Sequence, residues 1–157
     1  MYVSQTVVGF LDRQNVDFEM VAHPHTATST ATARAARIAP ERLAKAVLMR
    51  GEDDYLLVVV PASRKVNPYA VRELLDEEGL VFAEEGEMPA VFRDCERGAL
   101  PAVGEAFGLR TAIDDSLLAI DDVYFEAGDH EHLVHLSHDA FVRLMQHQQH
   151  GRISHRA

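Results

Sequence analysis

The sequence predicts a single α/β domain whose sheet is mixed or antiparallel, not a doubly wound parallel one. Three observations predict it. The chain has 157 residues, the size of one domain, and is 47% hydrophobic, enough for a core without disulfides or metal. Segments with helical spacing alternate with short runs rich in β-branched residues. Two pairs of those runs are joined by tight turns, and hairpin partners lie antiparallel.

Val3, Val7, Phe10 and Leu11 recur at helical spacing, so residues 4–14 read as an opening amphipathic helix. Val16 to Ala22 reads as a strand that His23-Pro24 breaks, because a residue before proline is pushed out of the helical region. The alanines of residues 27–36 favour a helix capped by Thr26 or Thr28. Residues 44–50 and 55–62 form a hairpin about Gly51-Glu52-Asp53-Asp54. The run from Leu56 to Val60 is apolar at every position, as in a strand covered on both faces. Asn67 caps a helix over 67–79, with Pro68 at its first position and Gly79 to close it.

A short strand at 80–83 and a helical stretch at 87–96 follow. Residues 98–108 read as a loop, and Arg110 to Ile113 as a strand. A second hairpin pairs 122–127 with 132–136 about Gly128-Asp129, and Ser137 opens a last helix with Phe141, Leu144 and Met145 on one face. The domain is expected to span 1–146, with residues 147–157 as a polar, frayed tail.

One cysteine, Cys95, excludes an internal disulfide and fits a reducing compartment. The opening MYVSQTVVGF lacks the pattern of a signal peptide, and no stretch nears the roughly 20 apolar residues of a membrane span. A cytoplasmic protein is expected. The net charge of −10 argues against DNA and other strong phosphate-backbone partners. The acid is uneven, however. Residues 1–75 carry 9 Lys+Arg against 8 Asp+Glu, and residues 76–157 carry 6 against 17. One neutral-to-basic face on an acidic molecule and a scatter of solvated charges fit these counts equally.

Four motifs carry chemistry. Lys45 stands at the start of the apolar strand Ala44–Met49, where an ammonium holds an anion or a polarised carbonyl; the plain alternative is a strand-end lysine reaching water. The loop Gly98-Ala99-Leu100-Pro101 offers backbone N–H groups to a developing oxyanion, although most such loops are plain turns. It is neither a P-loop nor a dinucleotide fingerprint. His130, beside Asp129 in a Gly-Asp-His turn, is a candidate substrate contact or proton carrier, or else an exposed turn histidine. His23 and His25 flank Pro24 and either line a pocket or sit in a loop.

Two further groupings carry less. His130, His132, His135 and His138 lack a paired acidic ligand and span a turn, a strand and a helix start, so no metal is expected. Cys95 has no nucleophile signature around it.

Taken together, His23-Pro24-His25-Thr26, Ala44-Lys45-Ala46-Val47, Gly98 to Pro101 and Gly128-Asp129-His130 resemble, in order and spacing, the YbaK/ProX/EbsC family of aminoacyl-tRNA deacylases over about residues 4–146. The resemblance implies a mixed, barrel-like sheet wrapped by helices. It implies that Lys45, with Gly98 and Pro101 of the loop, serves catalysis. His23, Thr26, Ala99, Leu100, Asp129 and His130 would line the substrate. It implies hydrolysis assisted by a ribose hydroxyl of the substrate, with no cofactor. Ala102 stands where many family members have a second proline.

The expected function is trans-editing: hydrolysis of the ester of a tRNA mischarged with alanine, serine, cysteine or threonine. Binding pockets separate such small side chains poorly, and a second sieve corrects the errors. The expected partners are the acceptor end of aminoacyl-tRNA and an aminoacyl-tRNA synthetase, which would lend affinity. The alternative is an inactive tRNA-, nucleotide- or synthetase-binding module of the same fold.

Overall fold

A computed structural model describes residues 2–157; Met1, the first residue of the expected span 1–146, lies outside them. Its helices are α1 (Gln5–Arg13), α2 (Ser29–Ala36), α3 (Pro68–Leu75), α4 (Met88–Val91) and α5 (His138–Leu144). Its strands are β1 (Glu19–Ala22), β2 (Leu43–Arg50), β3 (Tyr55–Pro61), β4 (Arg64–Val66), β5 (Val81–Phe82), β6 (Arg110–Asp114), β7 (Asp122–Glu126), β8 (His132–Ser137), β9 (Gln149–Gly151) and β10 (Ser154–Arg156).

Seven strands form one path in the order β1-β8-β7-β2-β3-β6-β9, and β5 joins it by pairing with β2. The expected hairpins β2–β3 and β7–β8 are antiparallel, whereas β2–β7, β3–β6 and β6–β9 are parallel. The sheet is therefore mixed, and the domain is α/β. The ribbon β4–β10 stands apart from it.

Both faces of the central strands are covered. Leu57 and Val59 enter a core with Phe10, Leu48, Phe125 and Phe141, while Leu56, Val58 and Val60 enter another with Met49, Val71 and Ile153. All of Leu56–Val60 is fully buried, which accounts for the unbroken apolar run. A third, smaller core of Ala33, Leu43, Ala62 and Leu133 lies under α2.

Several boundaries differ from the sequence expectation, each for a local reason. Strand β1 starts at Glu19, because the Val16 N–H closes α1 on the Leu11 carbonyl behind Asn15 at φ 54°. Of the two expected caps of α2, Thr28 is the one used, its side chain accepting the Ala31 N–H. Helix α3 stops at Leu75, short of Gly79, because Asp76 takes the left-handed conformation and the Glu77 N–H bonds the Arg72 carbonyl. Only Met88–Val91 of the expected 87–96 stretch is α-helical.

The tail from His147 does not fray. It supplies β9 and β10 and buries Ile153 in the core. No helix among the described residues is long and apolar enough to cross a membrane.

Candidate functional site

The segment after β1 runs antiparallel to the β7–β8 turn. The His23 N–H bonds the Glu131 carbonyl at 2.8 Å, and the Thr26 N–H bonds the His130 carbonyl at 3.3 Å. The turn itself is built by Asp129, which is fully buried. Its Oδ1 accepts the Glu131 and His132 N–H groups at 3.0 and 2.9 Å, and its Oδ2 meets His132 Nδ1 at 2.7 Å. Burial pushes this carboxyl up, but the Glu131 N–H and the His132 ring outweigh it and hold the group below the usual carboxylate range.

His130 sits in that turn at φ 62° and is buried, not an exposed turn histidine. Its Nε2 bonds the Arg97 carbonyl. A carbonyl only accepts, so Nε2 carries the proton. In a trans peptide the C=O and N–H point opposite ways, so this grip on Arg97 aims the Gly98 N–H away from it. Gly98 sits at φ +80°, which L side chains rarely adopt, and a Cβ there would lie a tight 3.3 Å from His130 Cε1.

The side chains of Ala99, Leu100 and Ala102 are buried, and Pro101 with them. Of the loop's N–H groups, that of Ala99 bonds the Glu96 carbonyl at 3.1 Å, and Pro101 has none. The Gly98 and Leu100 N–H groups have no acceptor among the described residues. The oxyanion donors expected from Gly98 to Pro101 thus narrow to these two.

Lys45 alternates along β2 with Ala44, Ala46 and Leu48, which face the loop's core, so it leaves the sheet on the other face with Leu43. Leu43 pairs with Tyr124 and Ala44 with Phe125 in parallel, so by the alternation of each strand Lys45 and Glu126 leave the sheet on the same face. The Lys45 Nζ donates to the Arg64 carbonyl at 2.7 Å. Burial, with Lys65 nearby, lowers its pKa. Among the described residues, Lys45 makes no hydrogen bond to His23, Gly98 or His130; its one side-chain hydrogen bond is to Arg64.

Two residues of this region escape the sequence reading. Glu126 is buried under α2, and its Oε2 lies 3.3 Å from Thr32 Oγ1. Thr32 Oγ1 also meets Thr28 O at 2.9 Å and Thr26 Oγ1 at 2.6 Å. Burial pushes the Glu126 carboxyl up to about 7, although the His130 ring and the Thr32 hydroxyl pull it back. Glu126 Oε1, His130 Nδ1 and His23 Nε2 are buried without partners, the mark of a polar site, not of plain core. A charged residue ending the inward-facing strand Val123–Glu126 was the available signal.

The remaining histidines go to separate partners. His135 lies between Glu19 and Asp122 and stacks on Tyr124, and His138 bonds the Ile120 carbonyl. Burial pushes the Cys95 thiol up to about 12, the reverse of what a nucleophile needs. A surface cleft lined by Asp53, Asp54, Glu77, Glu78 and Arg110 lies at the far end of the β2–β3 hairpin, and its acid lining repels phosphate.

Comparison with known proteins agrees with this geometry. The chain is 29% identical over 105 residues to a proline–tRNA ligase of Geobacillus thermodenitrificans (strain NG80-2); the match covers 67% of this chain and 18% of the ligase. The fold superposes on that of a protein proposed as a trans-editing enzyme for prolyl-tRNA synthetase, with a TM-score of 0.83, 20% identity and 98% and 99% of the two chains covered. It also matches hypothetical protein APE2540, with a TM-score of 0.85, 17% identity and 96% and 100% coverage. A family model described as the aminoacyl-tRNA editing domain matches residues 23–144, the span that holds His23, Lys45, the Gly98 loop and His130, so the chain belongs to the aminoacyl-tRNA editing domain family.

Proposed function

We propose that this protein is a trans-editing deacylase that hydrolyses the ester of a tRNA mischarged with a small amino acid: alanine, serine, cysteine or threonine. One observation carries the reading. The Arg97–Gly98 peptide is clamped by His130, and the Gly98 and Leu100 N–H groups beyond it are without acceptors among the described residues. Donors fixed before the reaction stabilise the tetrahedral oxyanion without reorganising.

Lys45 places a cation on the same sheet face as Glu126, where it would fix the acceptor end. Lining side chains come from His23 and Thr26, while Asp129 shapes the turn that presents His130. Water attacks the ester carbonyl, and a hydroxyl of the terminal ribose takes part in activating it. One similar protein is a proline–tRNA ligase, so tRNA for proline is the first carrier to test, with its synthetase as the first candidate partner.

The test is deacylation of that tRNA charged with alanine, serine, cysteine or threonine, by wild type and by Lys45→Ala. The expected outcome is rapid loss of one ester and a fall in kcat/KM of about a hundredfold or more in the variant. Hydrolysis of no ester above the spontaneous rate would refute the deacylase and leave a binding module.

A further inference from the structure

Lys45 carries its charge on a flexible four-carbon stem, which by itself fixes no direction. An ammonium has three N–H donors. One is committed to the Arg64 carbonyl at 2.7 Å, so the other two are turned away from it. That carbonyl belongs to β4, which lies outside the main sheet and has β10 as its partner strand. The register sets Arg64 against Arg156, Lys65 against His155 and Val66 against Ser154.

Ser154 ties this ribbon to the sheet. Arg64 Nε donates to Ser154 Oγ at 2.7 Å, and an Arg64 terminal nitrogen to the Ser154 carbonyl at 3.1 Å. The Ser154 hydroxyl donates in turn to Asp114 Oδ1 at 2.9 Å, which also accepts the Ile153 N–H at 3.0 Å. Asp114 is the last residue of β6 and is buried, as is Ser154. A continuous chain thus runs from the sheet through Asp114, Ser154 and Arg64 to the Lys45 ammonium. Ser154 lies beyond residue 144, where the family match ends.

We propose that the C-terminal strand β10 is a positioning element of the deacylase site, and that Ser154, acting through Arg64, holds the Lys45 ammonium toward the acceptor end of the tRNA. The inference rests on the reading that Lys45 meets the substrate. It makes Ser154 a positioning residue, not a catalytic one.

The test uses the full chain carrying Ser154→Ala, which removes the hydroxyl between Arg64 and Asp114 and leaves the Arg64 bond to the Ser154 carbonyl, and Ser154→Thr, which keeps a hydroxyl. The first readout needs no tRNA: the NMR order parameter of the Lys45 Cε methylene. The chain has two lysines, so exposed Lys65 is the internal reference. Ser154→Ala is expected to lower the Lys45 value by about half and leave Lys65 unchanged, while Ser154→Thr keeps it near wild type. The second readout is kinetic: Ser154→Ala raises KM about fivefold with kcat little changed, and Ser154→Thr restores it.

An unchanged Lys45 order parameter in Ser154→Ala overturns the proposal, even if kcat or melting temperature falls, because that pattern is a structural role alone. Arg64→Met cuts the same link from its other end and is read identically if Ser154→Ala does not fold. If the wild type hydrolyses no ester, the deacylase reading falls, and the order parameter alone decides whether Ser154 positions Lys45.

Discussion

Glu126 shows what a single residue does to this domain. Its carboxyl is buried against Thr32 of α2, with one weak hydroxyl contact and one oxygen unpartnered among the described residues. The folded chain therefore keeps a proton there up to about pH 7, whereas an ordinary glutamate releases it near pH 4.5. The native state binds more protons than the unfolded one across that window. Glu126 is thus no burden below about pH 4.5, costs stability as pH rises toward 7, and its cost levels off above it. Glu126→Gln, which stays neutral, is expected to match wild type near pH 5 and exceed it at pH 8, by on the order of 3 kcal/mol. Urea titrations at the two pH values check this. Equal gains or losses at both would show that ionisation of Glu126 is not the cause.

At the scale of elements, short local devices set where the site-bearing segments begin and end. Asn67 Oδ1 accepts the Tyr69 and Ala70 N–H groups at 3.1 and 3.2 Å, and its own N–H bonds the Ile153 carbonyl at 2.8 Å. Asn67→Ala removes the side-chain cap of α3 and keeps the backbone tie, so a loss of about 1 kcal/mol is expected in denaturant melts. A loss under about 0.3 kcal/mol would mean that water replaces the cap. The cap, the Pro68 that follows it and both hairpins were legible because each rests on neighbours in sequence. The end of α3 was not: Asp76 took the left-handed position that Gly79 had promised, since an aspartate tolerates that conformation.

For the whole molecule, the cations divide into paired and unpaired. Arg42, Arg50 and Arg110 are held by carboxylates, at Asp122, Glu87 and Glu77 with Asp54. The other cations make no ion pair among the described residues, and Arg34, Arg37, Lys65 and Arg97 are four of them. Arg34 and Arg37 stand at the end of α2, Lys65 beside Arg64 and Arg97 beside Gly98, so they flank the site-bearing segments. Four phosphate contacts on an acidic protein give a shallow salt dependence. A plot of log kcat/KM against log salt is expected to fall with a slope no steeper than about −3. A steeper slope would mean that cations away from these segments also meet phosphate.

The sequence by itself determined the α/β class, both hairpins and the buried run Leu56–Val60. Alternation, turn residues and caps act over a few residues, and they are written in order along the chain. Only the tertiary structure decided the parallel pairings of β2 with β7 and β3 with β6, which join residues about 50 to 80 positions apart and have no local signal. It likewise decided that His130 clamps the Arg97 carbonyl, that Glu126 is buried beside the site, and that the tail forms the strands Gln149–Gly151 and Ser154–Arg156 in place of fraying. Each of those depends on a partner distant in sequence, and polar residues such as Gln149 and Ser154 read as solvent-facing until the backbone they pair with is in place.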